Sequence, residues 1–409
     1  MYWFKSIIVN QIYIMKLISL LTFLILFLSC SPQEDKQIET ISLKRALKGD
    51  LSVLDSIGII PLEISDSILV KDIITFQYLK KPQLYLIMDS QQYVFLFDET
   101  GKCVANSSAC RGEGSQEYLM AVDATYNPYS NAIEIYNPMQ GILHRYDMSF
   151  RWLNARELSY EDGFIGSHLE VIGENQYILD PLRLHEDCSF VRLCDFSKKG
   201  GQMITDIPCY KEGYVCRTST YHKMFTMTDT AIYFSPAYLD YHYYKYDVKQ
   251  KLFSLLYKLD VGEKEATARQ LEKLYGKAVS NSSDGNVESI NIMEQKEDYL
   301  VFSDYLLPTI RLISDLYVYA FFQSNMKASY LIHNRQTRET FYISQDAGID
   351  MFPCYALYDN VLFGVLYPDR MDKYVDDRAQ AYMSMETRRK LKDIKEEDNP
   401  VIIKYYLKK

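Results

Sequence analysis

The stretch Tyr93–Lys102, YVFLFDETGK, interleaves strongly apolar residues, meets an acid and then turns at Thr100-Gly101. That is a β-strand running into a hairpin. The pattern returns at Ile142–Arg151 (ILHRYDMSFR), Phe190–Lys199 (FVRLCDFSKK), Tyr243–Leu252 (YYKYDVKQKL) and Tyr330–Glu339 (YLIHNRQTRE). Its acid or amide falls at Asp98, Asp147, Asp195, Asp247 and Asn334, at spacings of 49, 48, 52 and 87 residues. A sixth copy lies in Val401–Leu407, where Lys404-Tyr405-Tyr406 aligns with Lys245-Tyr246-Asp247. A regular period of this size marks a repeat architecture. Six copies predict an all-β chain, a six-bladed β-propeller of four-stranded antiparallel blades.

Working outward, each copy is the third strand of a unit. Blade one reads as Ile68–Gln77, Leu84–Met88, Tyr93–Asp98 and Lys102–Ser107, with turn residues between the runs. Blade two reads as Leu119–Tyr126, Ala132–Tyr136, Leu143–Asp147 and Phe150–Leu158. Blade three spans His168–Ile207 and blade four Lys223–Asp260; in blade five, Tyr299–Phe322 holds more apolar runs than one blade uses. Blade six takes Asp350–Leu357 and Val361–Leu366 and closes on Val401–Leu407. An open ring would leave an unpaired edge, so the first strand, Leu51–Ile64, is expected to pair with Val401–Leu407. Two segments carry a helical signature, Lys264–Tyr275 and Asp372–Glu397, the second without Gly or Pro. They account for the stretched spacings.

Residues Leu17–Leu28 form a twelve-residue apolar run after Met15-Lys16, the length of a signal-peptide core and short of a membrane span. Met15 is a natural start, so residues 1–14 read as an upstream extension. The run ends in Phe27-Leu28-Ser29-Cys30, which resembles a lipobox of the relaxed kind seen in Bacteroidetes. That resemblance implies a diacylated Cys30, followed by Ser31–Lys36 as an acidic export tag, and places the protein at the outer membrane, facing outward. The expected organisation is therefore a leader over 1–29, a lipidated tether over 30–50 and a propeller over 51–409. Lys5 and Lys16 leave with the leader, taking the net charge from −9 to −11. An acidic surface repels phosphate backbones, which argues against nucleic acid as a partner.

Seven cysteines remain after Cys30, an odd number. Cys103/Cys110, Cys188/Cys194 and Cys209/Cys216 are spaced for small-loop disulfides or are buried thiols. Cys194 stands where other blades place Tyr or Phe, which favours the core. No zinc spacing, GxSxG, P-loop or Rossmann fingerprint is present, and neither a metal nor a cofactor is expected. The repeated aspartates sit at turns, where Asp bonds its own backbone.

In a propeller, loops joining the second to the third strand, and one blade to the next, share a face. That face collects the candidate binding residues: Arg111, Glu113 and Glu117; Arg183 and His185; His222; and Tyr238, Tyr241, His242 and Tyr243. The chain holds 36 tyrosines against two tryptophans, and the Tyr238–Tyr244 cluster has the makings of a platform for a sugar or aromatic ligand.

The repeats, the closing Asn399-Pro400-Val401-Ile402-Ile403 and the loop Arg111–Tyr118 resemble six-bladed β-propeller lipoproteins common in Bacteroides, a family similar to NHL-type propellers. The family's loop reads G-[RQ]-G-P-G-E-Y; here Cys110 replaces the first Gly, Glu113 replaces the Pro and Gln116 interrupts. The function expected is a non-catalytic, membrane-anchored module recognising a glycan, a peptide or an envelope protein. The alternative is a lactonase-like hydrolase or lyase with an ion at the channel mouth, for which Asp123 and Glu288–Asn291 are the innermost candidates. A third option is a structural subunit of an envelope complex.

Overall fold

The computed structural model describes residues 38–49, 51–137, 140–157, 166–181, 190–197, 202–208, 225–228, 231–235, 241–267, 270, 304–344, 351 and 353–409. Cys30, Arg183, His185, His222 and Tyr238 lie outside them, as do Cys188, Cys209, Cys216 and Glu288–Asn291. Twenty-six strands are described, in six antiparallel blades. A short N-terminal segment carries β1 (Glu39–Ser42) and β2 (Leu47–Lys48), and β3 (Leu54–Pro61) follows. Blade one is β4 (Ile73–Leu79), β5 (Leu84–Asp89), β6 (Val94–Asp98) and β7 (Cys103–Asn106). Blade two is β8 (Asp123–Asn127), β9 (Ala132–Asn137), β10 (Ile142–Tyr146) and β11 (Trp152–Glu157). Blade three is β12 (Gly166–Val171), β13 (Gln176–Pro181), β14 (Phe190–Asp195) and β15 (Gln202–Pro208). Blade four is β16 (Phe225–Met227), β17 (Ile232–Phe234), β18 (His242–Asp247) and β19 (Leu252–Asp260). Blade five is β20 (Leu307–Ile313), β21 (Tyr317–Ser324), β22 (Lys327–Asn334) and β23 (Thr340–Ser344). Blade six is β24 (Cys354–Tyr358), β25 (Val361–Leu366), β26 (Val401–Leu407) and, last, β3.

The ring closes as the apolar pattern requires. β3 pairs antiparallel with β26, with Ile57 opposite Tyr405, Ile59 opposite Ile403 and Pro61 opposite Val401. The repeated acids hold turns: Asp98 accepts the backbone N–H groups of Thr100 and Lys102, and Asp147 those of Ser149 and Arg151. Asn334 does the same for Gln336 and Thr337.

Three expectations are corrected. Residues 39–48, read as tether, add fifth strands: β1 to the outer edge of blade four, and β2 in parallel to β23 of blade five. The single helix expected over Asp372–Glu397 is three: α1 (Met371–Tyr374), α2 (Asp377–Ala381) and α3 (Met385–Asp393). Asp376 and Ser384 break it, because their side chains accept the N–H groups of Ala379 and Thr387 and cap new starts. The helix expected from Lys264 does not begin there: Gly262–Lys264 is one 3-10 turn and Glu265 is extended. From Leu271 to Tyr275 that segment lies outside the described residues.

The core lies between blades. Each of six apolar clusters is shared by two neighbouring sheets, so β20 is buried along its whole length. Burial on both faces explains why blade five reads as continuous apolar runs rather than alternation. Tyrosines rivet these seams. Tyr243 of blade four donates to the Tyr319 carbonyl of blade five at 2.6 Å, and Tyr177 of blade three donates to Glu134 of blade two at 2.9 Å. Tyr319 in turn accepts the N–H of Cys354, in blade six, at 3.3 Å. A phenol fills apolar space and still satisfies a buried carbonyl, which a Phe could not do. Cys194 and Cys354 are buried in the same seams, while Cys103 and Cys110 are unbridged.

The closing seam holds Lys404 beneath aromatic faces, 5.3 Å from the ring centre of Tyr85 and 5.7 Å from that of Phe363, with Glu99 4.0 Å away. Burial pulls its amine below the usual lysine range, partly offset by Glu99. Lys404→Met keeps the packed stem and removes the charge, and is expected to change stability by less than about 1 kcal/mol. Urea denaturation checks this; a loss above about 3 kcal/mol would show the ion pair to be a net stabiliser.

Candidate functional site

The described candidates gather on the connection from blade one to blade two. Cys110 ends a 3-10 turn and is buried; Tyr118, eight residues on, is fully buried. Between them the chain folds back on itself. The Tyr118 N–H donates to the Cys110 carbonyl at 2.9 Å, and the Gly112 N–H to the Tyr118 carbonyl at 3.1 Å. Glu117 is part of this scaffold, its carboxylate accepting the Gly114 N–H at 2.9 Å. A Cβ at position 112 would lie 2.1 Å from that carboxylate, so a larger residue there would push the Glu117 side chain away.

A second tie binds the loop to the β5–β6 turn. Tyr118 donates to the Gln92 carbonyl, and the Gln92 side chain accepts the Ala121 N–H at 3.1 Å. Arg111 donates to the Gln91 carbonyl and lies over the Tyr93 ring, 4.9 Å from its centre. Buried Asp89 holds that turn through the N–H groups of Lys71 and Tyr93; burial raises its pKa, against those bonds and the nearby Arg111 charge. Loops from the two expected connection types do share a face here. On the outside of this rigid knot stand Glu113, Gln116, Leu119 (48% exposed) and Met120 (41%).

Other candidates fall elsewhere. Tyr241 and Tyr243 are 4% and 0% exposed, so neither ring offers a face to a ligand. The Tyr241 hydroxyl donates to the Leu306 carbonyl and accepts the Ala266 N–H, both at 2.9 Å, tying the segment after blade four to the start of blade five. The platform reading fails for these two because strand alternation turns them into the seam. His242, next in register, is half-buried with its ring 6.3 Å from that of Tyr244.

Asp123 does not present to a channel ion. Fully buried, its carboxylate accepts from Thr75 of blade one, from its neighbour Ala124 and from Leu169 of blade three, bracketing three blades. Among the described residues no three of His, Cys, Asp and Glu come together. A cleft of about 390 Å³ opens where Thr100–Lys102 meets Pro61–Ile64 and Ile394–Asn399. Its polar walls are structural: Asn399 donates to the carbonyls of Glu63 and Ile68 and accepts the Val70 N–H, and Glu63 accepts the Cys103 N–H. A Cβ on Gly101 would meet the Pro61 carbonyl at 2.0 Å, so glycine there permits the close approach.

The sequence reading missed Leu119 and Met120, placed in a strand that begins only at Asp123. Tyr93 was missed too, because its stacking under Arg111 depends on a fold contact across 18 residues.

With the geometry in place, residues 44–406 match the family described as a domain of unknown function, DUF4934. The chain belongs to that family. Among solved structures this DUF4934 ring is similar to an exported protein of Bacteroides fragilis, at 17% identity and a TM-score of 0.68, over 90% of this chain and 100% of that one. It is also similar to a DUF4221-family protein of Bacteroides vulgatus, at 11% identity and a TM-score of 0.51, over 87% and 97%. Both likenesses are to the fold. No curated protein matches the chain.

Proposed function

We propose that this DUF4934 protein is a non-catalytic binding module of the cell envelope, moored through an acylated Cys30, which holds a partner protein on the Arg111–Met120 loop. The observation that carries the reading is the contrast within that loop. Its base is immobilised by Tyr118, Gln92 and Glu117, while Leu119 and Met120 are left in solvent. A pre-ordered loop with exposed apolar tips beside an Arg–Tyr stack suits a protein surface, since little entropy is lost on binding. A sugar platform has less support, as Tyr241 and Tyr243 are enclosed. The export named for the Bacteroides fragilis structure supports the envelope address.

A photo-crosslinking residue in place of the exposed Glu113, in cells, tests the reading. One discrete adduct is expected, reduced roughly tenfold by Leu119→Asp with Met120→Asp, as for residues at the centre of an interface. The tether is scored separately, by detergent-phase partition lost in Cys30→Ala. No adduct, or an adduct indifferent to the double substitution, overturns the loop assignment. A stoichiometric metal in the purified protein would favour the hydrolase instead.

A further inference from the structure

The N-terminal segment crosses two blades before it enters the ring. β1 lies on the outer edge of blade four, where Ser42 donates to Asp260 at 2.8 Å, and Ile41 is buried in the blade four–five seam. β2 then pairs with β23, and the Gly49 N–H donates to the Tyr342 carbonyl at 2.8 Å. The chain therefore leaves the propeller at blade four. Eight residues separate Cys30 from Glu39, a reach of at most about 30 Å.

This rim differs in charge from the rest of the molecule. The whole chain has 45 basic against 54 acidic residues. Within 39–48 and 242–260 the balance is seven basic against three acidic. Six of the seven, Lys44, Arg45, Lys48, Lys245, Lys249 and Lys251, are exposed. Of the three acids, Glu39 is half-buried, Asp260 is bonded to Ser42 and Asp247 holds its own turn, with Lys245 and Lys249 nearby. Beyond these segments, exposed Arg338 faces solvent beside exposed Glu339 in sequence, and Glu265 pairs with Lys258 at 3.4 Å. Interleaved with the cations are exposed aliphatic residues: Leu47 (53%), Val248 (49%) and Leu252 (51%).

We propose that the strapped outer rim of blade four, extended onto blade five by β2, is a membrane-docking surface for an anionic phospholipid bilayer. The inference deepens the envelope reading and rests on it for orientation: a diacylated Cys30 holds the chain at the bilayer on a flexible lead, and a basic patch sets which side of the ring lies against the lipid. Lysine and arginine meet lipid phosphate, and Leu47 and Leu252 reach the interfacial zone. The blade one–two connection lies three blades away around a six-bladed ring, so docking by this rim holds the Arg111–Met120 loop at the far side, free for a partner.

The test uses the full mature chain with Cys30→Ala, so that no acyl chain contributes. It is expected to float with phosphatidylglycerol vesicles at low salt, to ignore phosphatidylcholine vesicles, and to be released as ionic strength rises. Each basic side chain near such a surface is worth about fivefold in partition. Lys44→Gln with Arg45→Gln and Lys48→Gln is thus expected to weaken flotation by at least about tenfold. Lys245→Gln with Lys249→Gln and Lys251→Gln, at a hairpin away from the strap, repeats the test should the first variant fail to fold. Flotation with neither vesicle, equal flotation with both, or unchanged binding in both folded variants overturns the surface. Because acylation is absent here, a failure of the Cys30 reading leaves this result standing, and the reverse.

Discussion

Arg145→Met is expected to destabilise the protein by about 3–5 kcal/mol, the cost of leaving a buried charge without its counter-ion. Glu134 of β9 is fully enclosed and Arg145 of β10 is 7% exposed, with Nε 2.9 Å from one carboxylate oxygen. The same oxygen accepts from Asn127 at 3.0 Å and from Tyr177 of blade three at 2.9 Å. The other oxygen has no partner among the described residues. Methionine fills the stem of Arg145, so the loss reports the charge and not a cavity. The double variant Arg145→Met with Glu134→Leu is expected to recover most of the stability, since an apolar pair of similar volume removes both desolvation costs. Urea denaturation of the three proteins measures both effects. A single substitution costing under about 1 kcal/mol would show that buried Glu134 does not need Arg145 as its counter-ion.

Acid is the second lever. His333 of β22 is 4% exposed and shares a hydrogen bond with Thr340 through Nδ1 at 2.8 Å. Burial first, and the Arg335 charge second, push its pKa down to about 4. His144 is lowered by burial as well. Between pH 6.5 and 4 the unfolded chain takes up a proton at position 333 that the folded chain refuses. The contribution is therefore complete above pH 6.5 and is lost as the pH falls towards 4, amounting to about 2 kcal/mol once solvent screening is allowed for. Glu134 acts in the opposite sense: burial raises its pKa, so its protonation favours the fold as the pH falls. The measurement is accordingly a difference, the stability of wild type minus that of His333→Gln at pH 7 and at pH 4.5. An unchanged difference would refute the role of the buried imidazole.

The outcome at the candidate site follows from the same physics. Arg111, Glu113 and Glu117 were recognisable because a Gly-rich connection between two repeats has to cross a face of the disc. What each does there was not. Glu117 points inward to Gly114, whereas Glu113 is exposed, though both are acids in one short loop. The tyrosines mislead for a related reason. A phenol suits a sugar and a buried carbonyl equally well, and only the neighbouring blade decides which it meets. Tyr241 and Tyr243 meet Leu306 and Tyr319.

The six units, their hairpin turns and the pairing of the Leu51–Ile64 stretch with the final strand were determined by the sequence alone, because strand period and turn chemistry act between residues close in the chain. Only the tertiary structure decided that residues 39–48 cover two outer edges, that Asp376 and Ser384 divide one helical run into shorter helices, and that the tyrosine-rich strand is a seam. Those outcomes depend on which surfaces are pressed together when the ring shuts. A partner more than two hundred residues away, as Asp260 is from Ser42, leaves no mark in the local pattern.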